Sequence, residues 1–152
     1  MPPRNTAALM HHILMQEAAG KSRMIRTALN GFRSGTLQQA DGDGSVQMTE
    51  TRIYIGLNDA ETRKQEYETG MYLDTLKEIC RKYRAAFSVD IEEGGYYHED
   101  EEYTEETSLV LILIDAGGEA VTKIAEDLRA AFHQESVLIT ENRIHGRFIA
   151  GD

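Results

Sequence analysis

The stretch Thr107-Ser108-Leu109-Val110-Leu111-Ile112-Leu113-Ile114-Asp115 decides the fold. Its apolar residues are contiguous from Leu109 to Ile114 rather than alternating. The run has the length of a strand and falls far below the ~20 residues that cross a bilayer. It reads as a central strand buried on both faces.

Working outward toward the C-terminus, Gly117-Gly118 breaks the chain. Glu119 to Phe132 then places Val121, Ile124, Ala125, Leu128 and Phe132 at helical spacing. Ser136 to Thr140 reads as the next strand, and Arg143 to Ile149 as a short fifth one. Toward the N-terminus, Glu92 to Glu106 is a glycine- and acid-rich connection. Ala86 to Ile91 alternates, with Phe87, Val89 and Ile91 on one face. Gln65 to Tyr83 carries Met71, Tyr72, Leu76, Ile79, Cys80 and Tyr83 at steps of three and four, which predicts a helix. Thr51 to Leu57 alternates and is rich in β-formers, which predicts a first strand. The order is β-α-β-β-α-β. Two helices on one face of an antiparallel sheet bury these stripes with the fewest crossings, so the expected class is α+β and ferredoxin-like.

Three segments are expected. Residues 1–37 form a basic, helix-patterned extension, 38–48 a polar, glycine-bearing linker, and 49–152 the ferredoxin-like domain. Met48 reads as a second potential chain start. The net charge of −10 is uneven: five Lys and Arg face three Asp and Glu up to Met48, and 11 face 23 after it. Such a body repels nucleic acid and anionic membranes and attracts basic partners. Cys80 is the sole cysteine, which excludes an intramolecular disulfide and any zinc site with two thiolates. With no apolar signal region after Met1 to Asn5, the expected location is cytoplasmic.

Two stretches carry a resemblance: Thr51-Arg52-Ile53-Tyr54-Ile55-Gly56-Leu57 and Phe132-His133-Gln134-Glu135-Ser136-Val137-Leu138. They resemble short motifs of an uncharacterised bacterial family of small ferredoxin-like domains, over roughly Thr51 to Thr140. The chain differs from that family in a longer, more charged first helix, a more acidic connection and the lack of an export signal. The resemblance implies the fold and no activity. The chain also resembles small domains carried on mobile elements of gut bacteria.

The acidic connection is the main candidate site. With the end of the preceding strand, from Asp90 to Glu106, it holds Asp90, Glu92, Glu93, Glu99, Asp100, Glu101, Glu102, Glu105 and Glu106 without Lys or Arg, interleaved with Tyr96, Tyr97 and Tyr103. Spaced carboxylates with aromatics imitate the phosphates and bases of nucleic acid. The expected function is therefore a non-enzymatic interaction protein, of anti-defence type, that presents these twelve residues to a basic, nucleic-acid-binding protein as an inhibitor. The bland alternative is a solvated hairpin that protects strand edges. No direct nucleic-acid contact by the body, no membrane, no metal and no cofactor are expected, and self-association is a further expectation.

Two other functions stay open. One is a small-molecule-sensing domain with a pocket near Tyr54, Gly56 and the Gln134-Glu135 junction. The other is a ferredoxin-like enzyme using His98 or His133 as a base. Gly94-Gly95 and Gly117-Gly118 lack phosphate-loop spacing, and Asp41-Gly42-Asp43-Gly44-Ser45 lacks the closing ligand of a calcium loop. Cys80 lies on the apolar stripe of its helix and reads as core.

Overall fold

The computed structural model describes residues 42–151. The extension expected over 1–37 lies outside them. The elements run β1 (Val46–Gly56), α1 (Thr69–Lys82), β2 (Ser88–Tyr97), β3 (Tyr103–Ile114), α2 (Gly118–Ala131) and β4 (Leu138–Gly146). All neighbours pair antiparallel in the order β2-β3-β1-β4. This is the ferredoxin-like α+β arrangement, with β3 and β1 central.

Period-two alternation sends Ile53 and Ile55 of β1, Leu57 just past its end, and Leu109, Leu111 and Leu113 of β3 to the helix side, each fully buried. Tyr72, Leu76 and Cys80 of α1 and Val121, Ile124, Ala125 and Leu128 of α2 meet them, with Phe132 closing the cluster. Val110 and Ile112 point to the opposite face and are buried as well. The contiguous run of β3 is thus buried on both sides. Met71, expected on the inner stripe of α1, is instead more than half exposed. Across the helices, Asp127 accepts hydrogen bonds from Lys82 Nζ at 2.9 Å and from the Tyr83 hydroxyl at 2.7 Å. These bonds, the Lys82 one foremost, hold its carboxyl below the usual range.

Both helices end in the same way. The Arg84 amide donates to Arg81 O and the Ala85 amide to Cys80 O; likewise His133 donates to Ala130 O and Gln134 to Arg129 O. This six-to-one and five-to-two pattern needs a left-handed residue, commonly Gly, at the turn. Here Arg84 (φ 54°) and His133 (φ 49°) fill that role.

Three expectations about element limits change. β1 begins at Val46, inside the stretch expected as linker, because β4 pairs with it as far as Val46↔Gly146. For the same reason the separate fifth strand is absorbed into one continuous β4. Most consequential, the acid-rich stretch is a β-ladder for most of its length: β2 and β3 pair out to Tyr97↔Tyr103, leaving only His98–Glu102 as the connection. The register explains how so acidic a stretch can pair. Glu92 faces Ser108, Glu93 faces Thr107, Glu105 faces Gly95 and Glu106 faces Gly94. No carboxylate stands opposite another, so the main like-charge penalty of a cross-strand pair is avoided.

Candidate functional site

Strand alternation divides the acidic run between two faces of a projecting hairpin. Glu92, Tyr96 and Glu106 lie on the face away from the helices, with His98 beyond the end of β2. Glu93, Tyr97, Tyr103 and Glu105 lie on the other face. Asp90 is buried further along β2, and burial raises its carboxyl above the usual range while Arg52 opposes the shift. Glu99, Asp100, Glu101 and Glu102 occupy the tip, where Glu101 adopts φ 64°. The twelve residues expected to act together do not form one surface.

Four of them, Tyr96, Glu99, Asp100 and Glu106, line a polar cleft of about 780 Å³. It lies where β1 ends, β2 ends and β3 and β4 begin. β1 contributes Tyr54 and Gly56, and β3 adds Ser108. The β1–α1 loop brings Asn58, Asp59 and Arg63. The α2–β4 junction brings Gln134, Glu135 and Ser136. Five lining residues are carboxylates and one is an arginine, so the cleft is strongly negative. The Tyr96 hydroxyl is pushed above the usual phenol range, first by burial, then by Glu106, with Glu135 adding to the rise and Arg63 opposing it. The phenol therefore stays protonated and can donate.

The cleft is held by specific ties. Glu106 Oε2 accepts the Asn58 amide at 2.9 Å. The Asn58 side chain donates to Glu105 O at 3.3 Å. Gln134 Nε2 donates to Asn58 O at 2.6 Å, and the Ala60 amide donates to His133 O at 3.0 Å. Asp59 accepts the Glu61 and Thr62 amides at 2.8 and 3.1 Å and faces His133 Nδ1 at 3.2 Å. The Thr62 and Glu61 bonds, then His133, keep its carboxyl below the usual range. The left-handed turn that ends α2 is what throws His133 outward to Asp59 and brings Gln134 back under Asn58.

The pocket expected near Tyr54, Gly56 and Gln134-Glu135 is thus present, although its acidic wall was assigned to another role. His98 lines it and shares a 3.0 Å hydrogen bond between Nε2 and Thr104 Oγ1, with the Tyr96 ring against its own at 4.9 Å. His133 lies outside it. Asn58, Asp59 and Arg63 were not anticipated; the Asn58-Asp59 turn after strand one was the available signal. On the far side of the hairpin, Glu93, Tyr103 and Glu105 line a second hollow with Gln65. Cys80 is fully buried, and burial pushes its thiol up to about 12, so it is unreactive core. Among the described residues no group of three or more His, Cys, Asp or Glu is placed to hold a metal ion, and no helix is long and apolar enough to cross a membrane.

No protein family model matches the chain, and no curated protein matches it. The small ferredoxin-like domain implied by the resemblance stands; membership of a particular bacterial family is not supported. Among solved structures, the chain is similar to a phage SAM lyase in its apo state. The two are 20% identical with a TM-score of 0.49, over 76% of this chain and 99% of that one. It is also similar to a phage SAM lyase in complex with S-methyl-5'-thioadenosine, at 20% identity and a TM-score of 0.48, over 73% and 95%. B. subtilis GlnK bound to ATP is 14% identical with a TM-score of 0.42, over 64% and 82%. These likenesses concern the fold. They also correct one expectation: the chain was read as non-enzymatic, and neighbours of this architecture include a lyase, which is an enzyme. The lack of a contiguous catalytic motif therefore does not exclude catalysis, because one architecture hosts many unrelated activities.

Proposed function

We propose that the chain binds a small organic cation in the cleft between the β2–β3 hairpin and the α2–β4 junction. The observation that supports this most is the lining itself: Asp59, Glu99, Asp100, Glu106 and Glu135 against a single Arg63, in about 780 Å³. That volume lies within the range of small-molecule sites. Tyr54 and Tyr96 add aromatic faces that attract cations. The Tyr96 hydroxyl and the Gln134 and Ser136 side chains supply hydrogen-bonding groups for the rest of the ligand.

The test is calorimetric titration with two probes that differ in charge. SAM carries a sulfonium and an ammonium; S-methyl-5'-thioadenosine keeps the nucleoside and lacks both. Tighter binding of SAM, weakened by added salt and by Glu106→Gln, is the expected result. Equal affinity for the neutral probe, or no binding of SAM, butylamine or spermidine, overturns the reading. Chromatography of the recovered probe reports whether it is returned intact.

A second reading concerns the exposed tip. Glu99, Asp100, Glu101 and Glu102 project at the end of the hairpin, and a basic protein is the partner that their charge would select. Neutralising all four should remove salt-sensitive binding to such a partner; unchanged affinity would rule the tip out.

A further inference from the structure

We propose that Gly56 is a positioning residue for the cation site, acting through the Glu106 carboxylate; this deepens the proposal above and rests on it. Gly56 pairs with Ser108 on β3, and Glu106 is the next residue along the same face. The Glu106 side chain folds across Gly56. A Cβ at position 56 would lie 2.5 Å from its carboxyl carbon and from both oxygens. Real side chains do not approach so closely, so this resting place exists only where residue 56 has no side chain.

The choice of glycine is not a backbone requirement. Gly44 is the glycine with positive φ among the described residues, so Gly56 has a conformation open to alanine. What glycine provides is space, a close approach between a strand and a group lying on it. The seat has a second fixed point. Oε2 accepts the Asn58 amide at 2.9 Å, just past the end of β1. The carboxylate is thus clamped between the bare backbone of residue 56 and the amide of residue 58, on the wall shared with Tyr96. A group held this way needs no reordering when a cation arrives, which reduces the cost of binding.

Alanine at 56 would meet the far end of a flexible side chain rather than backbone or core. The expected response is that Glu106 swings away while the sheet persists. The Asn58 amide then loses its charged acceptor, and the cleft loses a carboxylate fixed in place.

The experiment has a ligand-free arm and a binding arm. In the first, the amide proton of Asn58 is followed by NMR in the wild type, Gly56→Ala and Glu106→Gln. Both variants should move it upfield by similar amounts, with the rest of the β1 and β3 amides nearly unchanged. An Asn58 resonance unmoved in Gly56→Ala overturns the positioning role. In the second arm, SAM affinity is measured for Gly56→Ala, Glu106→Ala and the double variant. Each single change should weaken binding about tenfold or more. The double variant should be no weaker than Glu106→Ala, because without the carboxylate the added methyl displaces nothing. Additive losses would mean that Gly56 acts on the ligand directly, and would overturn the proposal. Failure of the wild type to bind any cationic probe removes the cation reading, while the NMR arm still decides whether Gly56 seats Glu106.

Discussion

β3 passes through two environments, and they hold the same ladder by different means. From Leu109 to Leu113 every residue is buried, under the two helices on one side and on the open face on the other. From Tyr103 to Thr107 none is. The inner half is held by apolar burial, the larger driving force. The outer half has little of that. It persists because its register sets each glutamate opposite Gly, Ser or Thr. Tyr97 and Tyr103 also pack at 5.2 Å near the tip. A second ring seat contributes: a Cβ on Gly95 would run into the Tyr103 hydroxyl, so that ring lies across the bare strand. The inner half makes the fold, and the outer half shapes the cleft.

The comparison can be broken most directly at Leu111, which is fully buried. Leu111→Ala should cost about 2–5 kcal/mol in urea unfolding. A cost below about 1 kcal/mol would mean that burial does not distinguish the two halves. A smaller change tests the helix ends that carry the inner layer. Arg84→Gly removes the left-handed strain at the end of α1 and should stabilise by roughly 1 kcal/mol, read as a raised Tm. An unchanged or lowered Tm would show that Arg84 makes contacts that offset the strain.

In the outer half the expected effects shrink. A double-mutant cycle on Tyr97→Ser and Tyr103→Ser should return a coupling of about 0.5 kcal/mol, with the global unfolding midpoint almost unmoved. Coupling of several kcal/mol would give the tip a structural weight comparable with the core. Smallest are the pH effects, which differ in sign between the two regions. Asp59, at the cleft, has its carboxyl held low, so its stabilisation is present above about pH 4 and fades as pH falls through the folded value. Asp90, buried on the inner part of β2, has its carboxyl held high, so folding is penalised as pH rises from about 4 through that value. Asp59→Asn should therefore lower Tm at pH 7 and Asp90→Asn should raise it; the Asp90 difference should vanish below about pH 3, and the Asp59 difference should fade only as pH falls through its lowered folded value. Like signs for the two variants would contradict the assigned causes.

How far these regions were legible follows from what holds them. The inner half was read from Leu109–Ile114 and from the alternation around Ile53 and Ile55, because burial leaves a periodic trace in residue type. The outer half was read as a connection, since Glu, Gly and Asp are poor strand formers taken singly. Its strand character lies in pairings such as Glu106↔Gly94, which no single segment displays. The cleft was half legible. Tyr54, Gly56 and Gln134-Glu135 were singled out together, but Glu106 and Tyr96 were assigned to a different surface. Asp59 carried only the signature of a turn residue, and Arg63 carried no pattern at all.

By itself the sequence determined the element order, the core stripes, the lopsided charge and the inert, buried setting of Cys80, since each follows from local periodicity or composition. Only the tertiary structure decided the site. The order β2-β3-β1-β4 lays β3 beside β1 and brings residues 54–63, 96–108 and 134–138 to one end of the sheet. Whether a glutamate 50 positions away can rest on Gly56 is a question of interatomic space, and that space exists only once the strands are side by side.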